Sequence, residues 1–153
     1  MSDSSHTFVI DNVKPTISSV AVVAGSNSSG NVKEGTATIT VTMNESLSIV
    51  PKIAIDQQGS TDISATDMTL SSGNTYTYSY TVNTANGGTY VDGTATITIT
   101  TSADLAENVM DSNATNTFNI DTVAPNVIIS DLTASLTEAT SIDLSFTSSY
   151  VGS

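Results

Sequence analysis

The sequence predicts an all-β protein, an antiparallel β-sandwich of about seven strands. Three observations predict it. About a third of the 153 residues is Ser or Thr, well above ordinary usage, and Thr, Val, Ile and Tyr fit pleated sheets better than helices. Several segments alternate apolar and polar residues with a period of two, and none shows a convincing 3.6-residue period. Turn-forming words such as SSGN (71–74), NGG (86–88) and DGT (92–94) separate them.

Taken in order, TISSVAVV (16–23) is the first strand. GTATITVTM (35–43) puts Ala37, Ile39, Val41 and Met43 on one face and Thr36, Thr38, Thr40 and Thr42 on the other. PKIAI (51–55) carries Pro51 at its start, where a missing N–H costs least. MTL (68–70) is short. NTYTYSYTV (74–82) sets Tyr76, Tyr78, Tyr80 and Val82 against Thr and Ser, which reads as a core stripe. GTATITITT (93–101) repeats the pattern with Ala95, Ile97 and Ile99, and NTFNI (116–120) is last. Between them, 24–34 and 56–67 read as long loops. ADLAEN (103–108) has room for one or two helical turns at most.

Charge narrows the function. Fifteen acidic and three basic side chains give a net charge of -12, with no arginine. Phosphates would be repelled, so nucleic acid and anionic membrane surfaces are not expected partners. No apolar run is long enough to span a bilayer. Without cysteine, disulfides, thiolate metal sites and cysteine nucleophiles are excluded. Met1 is followed by SDSSHT, which is not a recognisable signal peptide. Catalysis is not expected: the one histidine, His6, lies in a polar terminal stretch where no base can be held in place. The absence of Trp leaves few platforms for a sugar ring.

The chain repeats itself. TFVIDNVKP (7–15) and TFNIDTVAP (117–125) match at six of nine positions, Thr7/Thr117, Phe8/Phe118, Ile10/Ile120, Asp11/Asp121, Val13/Val123 and Pro15/Pro125. EGTATITVTMNES (34–46) is echoed by EATSIDLSFTSS (138–149). The expected organisation is the last strand and linker of one repeat (1–14), one whole sandwich (15–121), and a linker with the opening strands of another (122–153). Pro15 and Pro125 fix φ and hold the preceding residue extended, which suits a short, semi-rigid linker.

EGTATITVTMNESLSIVPKIAI resembles the second and third strands of bacterial immunoglobulin-like repeats, often read as G-x-x-I-x-V-T-F-S-E-x-V before a short strand with a leading Pro. TSADLAEN (101–108) is similar to their ATDLAGN turn, with Glu107 in place of Gly. TFNIDTVAP resembles the hand-over F-x-V/I-D-x-x-x-P between such repeats. The resemblance covers the whole chain. It implies an immunoglobulin-like sandwich flanked by partial repeats. It also implies a non-catalytic spacer or stalk role in a large extracellular adhesin or other cell-surface protein, with neighbouring repeats as partners.

Calcium is the sharpest site expectation, since Ca2+ takes six to eight oxygen ligands. Asp104, Glu107 and Asn108 lie in one turn, Asp111 follows, and Asp11 and Asp121 mark the two repeat boundaries. Glu34 and Glu138 open the second strand of successive repeats. A cation shared by these groups would stiffen a junction. The alternative is that these acids cap turns, with Asp104 as the N-cap of a short helix, and are otherwise solvated. Two further expectations stay open. The N-terminal strand, with apolar Phe8 and Ile10, would complete the sheet of an identical subunit by donor-strand exchange and build a filament head to tail. Alternatively, loops 24–34 and 56–67 would bind a glycan or a host protein. Asn27, Asn44 and Asn113 fall in N-x-[ST] sequons.

Overall fold

The computed structural model describes residues 7–24, 30–83 and 91–124, leaving aside the side chains of 114 and 115. His6, Asn27, Pro125 and Glu138 lie outside the described residues, as do nearly all of the expected opening strands of the following repeat. The chain divides into two compact units, Met1–Thr122 and Val123–Ser153. Among the described residues, every strand belongs to the first.

Among the described residues there are eleven strands and no helix: β1 (Ile17–Ala24), β2 (Asn31–Val32), β3 (Gly35–Met43), β4 (Leu47–Ile49), β5 (Lys52–Asp56), β6 (Ile63–Asp67), β7 (Thr69–Ser72), β8 (Thr75–Val82), β9 (Gly93–Thr100), β10 (Ala103–Asp104) and β11 (Asn113–Ile120). Seven of them are the alternating segments of the sequence. Four short ones, β2, β4, β6 and β10, lack a pattern long enough to read. Segment 56–67 is therefore not a long loop, because β6 occupies 63–67 and pairs with β5.

One sheet has the order β1-β3-β8-β7 and the other β2-β11-β9-β5-β6, with β10 and β4 forming a separate pair. All pairings are antiparallel except β2 with β11. The two large sheets share one apolar core. Ala37, Ile39 and Val41 of β3 and Tyr76, Tyr80 and Val82 of β8 meet Ile53 and Ile55 of β5, Ala95, Ile97 and Ile99 of β9, and Phe118 and Ile120 of β11. This is the arrangement of a β-sandwich, and period-two alternation is what places these residues inward. Tyr80 and Phe118 meet across the two layers edge to face, with ring centroids 5.4 Å apart. Tyr78, expected in the core stripe, is only partly buried against its edge.

Strand direction defines two poles. At one, β1 begins, β3 and β9 end, and Thr16 and Asn44 exchange hydrogen bonds: Asn44 N–H donates to Thr16 O at 3.0 Å and Thr16 N–H to Asn44 Oδ1 at 2.7 Å. At the other, β3 and β9 begin and β11 ends. Gly93 opens β9 there at φ 144, with a side-chain carbon of Gln58 2.7 Å from where a Cβ would stand. The poles are separated by the length of β9, about 25 Å for eight residues.

Candidate metal centre

Three segments converge at the first pole. The first is the loop leaving β9. Thr101 turns it at φ 52, and Ala103 and Asp104 then pair with Ile49 and Leu47 of β4. Ser48 Oγ donates to the carbonyls of Ala103 and Asp104, which pins β10 against β4. The chain reverses at once: Glu107 N–H donates to Asp104 O at 3.2 Å, and Met110 N–H to Ser102 O at 2.9 Å. No helix forms over 103–108. The closure is a turn, because the segment is tied at both ends within nine residues.

Asp104 is the centre of that turn and is 1% exposed. Its Oδ1 accepts from Ala106 N–H and Asn108 N–H, both at 2.8 Å, and its Oδ2 accepts from Asn108 Nδ2 at 2.8 Å. Burial pushes the carboxyl pKa up, but the side-chain and backbone donors of Asn108 and the backbone of Ala106 together hold it below the usual range. The side chain does a helix cap's work with no helix following. A carboxylate offers about four lone-pair sites, so three hydrogen bonds leave one on Oδ2 open.

The second segment is the incoming chain. Asp11 Oδ1 accepts from Val13 N–H at 2.9 Å, and Asp11 O accepts from Asn108 Nδ2 at 3.0 Å. Lys14 and Asp111 form an exposed ion pair at 2.7 Å. Pro15 follows and is fully buried. The third segment is the β3–β4 connection, where Asn44 Nδ2 donates to Glu45 Oε1 at 3.0 Å.

Carboxylate oxygens of Asp11, Glu45 and Asp104 all lie within 4.8 Å of one another. One is exposed, one half-buried and one buried. Asn108 stands beside them but turns its amide N–H groups towards Asp11 and Asp104. Glu107 is exposed in the turn, and Asp111 is engaged by Lys14. Asp121 and Glu34 are at the opposite pole, where Asp121 N–H donates to Val32 O at 3.0 Å. Glu45 is the group that reading the sequence missed. It lies two residues past the end of β3, and only the fold carries it to Asp104.

The donor set is all oxygen, with no His or Cys. Such a set suits a hard cation, Ca2+ or Mg2+, and not zinc or copper. Asp11, Glu45 and Asp104 would hold it, with water completing the shell. Among the described residues, only Thr101 and Glu107 are non-glycine residues at positive φ, and they bracket Asp104. Backbone strain of this kind clusters at functional sites. No protein-family model, characterised protein or solved structure matches the chain.

Proposed function

We propose that the chain is a non-catalytic structural module, a spacer unit of an extracellular adhesin or other cell-surface protein built from bacterial immunoglobulin-like repeats. Its N-terminal junction is stiffened by Ca2+. The convergence of Asp11, Glu45 and Asp104 carries this reading. Asp11 belongs to the repeated junction word, whereas Glu45 and Asp104 belong to the body of the sandwich. A cation shared by the three would lock the incoming chain to the module.

Electrostatics supports it. Neighbouring carboxylates repel one another, weakly where water screens them. A divalent cation converts that repulsion to attraction. A site with three carboxylates and one exposed edge fits the weak class of calcium modules, with affinities of about 0.1–1 mM, which fill only at extracellular calcium levels. The surface is also suited to a spacer: Thr and Ser faces hold strand geometry without charge.

The test is thermal melting of the full chain in chelator, Ca2+ and Mg2+. At ten times its dissociation constant, Ca2+ adds about 1.4 kcal/mol, or roughly 5–10 °C in Tm for a domain of this size. An unchanged Tm at 10 mM Ca2+ removes the cation from the reading.

A further inference from the structure

The four strands of the β1-β3-β8-β7 sheet contain no charged residue, although the chain carries a net charge of -12. Among the strands, Lys52, Asp56 and Asp67 lie on the other large sheet and Asp104 in the β4–β10 pair. The uncharged sheet ends in β1, and among the described residues β1 pairs with β3 alone. Its other edge therefore presents a row of unpaired N–H and C=O groups. The flank beside it is open too. β11 meets β2 only at Asn119 and Ile120, and a cleft of about 330 Å3 lined by Val20, Val22, Val23, Ile97, Asn116 and Thr117 runs between β1 and β11. Proteins blunt such edges with charge, bulges or brevity. The other three edges use these devices. β2 has two residues, β7 has four and a register shift between Leu70 and Ser72, and β6 ends on Asp67, which pairs with Lys52. From Ser19 to Ala24, β1 has none of them: its pairing is regular and its sequence is SVAVVA. Ala21 is exposed there and Val23 is 38% exposed.

We infer that the free edge of β1 pairs with the same edge of a second copy of this chain, joining two four-stranded sheets into one of eight. Charge favours this occupant. Two chains of net charge -12 repel, and along this edge they meet with no acid in any of the eight strands. β1 is also its own complement. An edge pairs antiparallel with itself through a two-fold axis normal to the sheet, which keeps both inner faces on one side. A parallel pair would need an axis along the strand, which sets the inner row of one copy beside the outer row of the other. The antiparallel register that spans 18–24 and keeps the rows in phase puts Ala21 on the axis, with Val20 opposite the partner's Val22.

Antiparallel pairing sets the direction of the partners. β1 runs from the pole where the chain enters the module towards the pole where it leaves, so the entry pole of one copy lies beside the exit pole of the other. In a surface stalk this joins copies that reach from facing surfaces, a homophilic contact. That last step rests on the proposed spacer role, whereas the pairing itself does not. One short edge makes a weak interface, and several modules paired in a row would add avidity.

The test is sedimentation of the full chain in chelator from about 10 μM to about 1 mM. The expected result is a reversible monomer–dimer equilibrium that tightens as salt rises, because salt screens the repulsion while the contact itself carries no charge. Ala21→Lys should weaken the dimer by about tenfold or more and leave Tm within about 2 °C, since the position is exposed. An equimolar mixture of Ala21→Lys and Ala21→Asp should restore it, because the two charges meet across the axis. The chain has no cysteine, so Ala21→Cys treated with diamide should give a disulfide-linked dimer, and Ser64→Cys on the β6 edge should not. A chain that stays monomeric at about 1 mM in high salt overturns the inference; if Ca2+ still raises its Tm, the spacer reading stands. A dimer that salt dissolves also overturns it. So does a dimer that Ala21→Lys leaves intact and Phe8→Asp removes, since the contact would then run through the N-terminal strand.

Discussion

The side-chain amide of Asn108 donates to the backbone carbonyl of Asp11 at 3.0 Å and to the carboxylate of Asp104 at 2.8 Å, joining residues 97 positions apart in the chain. One amide thus ties the incoming segment to the buried turn that holds the acidic cluster. The cluster has a structural layer, Asp104 with its hydrogen bonds, and an electrostatic layer, Asp11 and Glu45. The two separate by mutation.

Asp104→Ala strands the N–H groups of Ala106 and Asn108 and the amide of Asn108. We expect a loss of about 2–3 kcal/mol in chelator, read by urea unfolding. Asp11→Asn and Glu45→Gln should change stability in chelator by less than about 0.5 kcal/mol and abolish the calcium-induced rise in Tm. A calcium response that survives Glu45→Gln would remove that residue from the site.

Stability should fall in acid with a defined sign. The carboxyl pKa of Asp104 is lower in the folded protein than in the unfolded chain. Its contribution is complete above the unfolded value of about 3.9 and is lost as pH drops from there through the folded value. Melts of wild type and Asp104→Asn between pH 6 and pH 2 should converge at the acid end. A constant gap would contradict this account.

Glu107 sits at φ 67, a conformation that costs a side-chain-bearing residue about 1 kcal/mol and glycine very little. Glu107→Gly should therefore stabilise the chain by about 0.5–1 kcal/mol without altering the calcium response, because its carboxylate is outside the cluster. Calorimetry with and without Ca2+ checks both halves.

Phe118→Ala removes a ring that contacts Tyr80 across the two sheets and should cost about 3–5 kcal/mol. Phe8→Ala, the same change in the same sequence word, should cost under about 0.5 kcal/mol in the single chain. Similar losses at both sites would mean that Phe8 packs on the module.

Much of the fold is written locally. GTATITVTM spans the same residues as β3, because strict alternation over nine positions allows one register and one buried face. The Tyr76 and Tyr80 stripe is legible for the same reason. The two-residue strands β2 and β10 are not, since two residues carry no period. Their pairing is set by β11 and β4, which are distant in sequence.

The sequence by itself determined the positions of the alternating strands, most of their inward faces, the repeated junction word and the acid-rich turn after β9, since each depends on neighbours within a few residues. Which acids meet was decided only by the tertiary structure. Glu45 joins Asp104 because β4 pairs with β10, and Asp121 stands a strand's length away because β11 runs antiparallel to β9. Spacing along the chain cannot encode those distances, because a pairing between sheets can bring any two loops to the same pole.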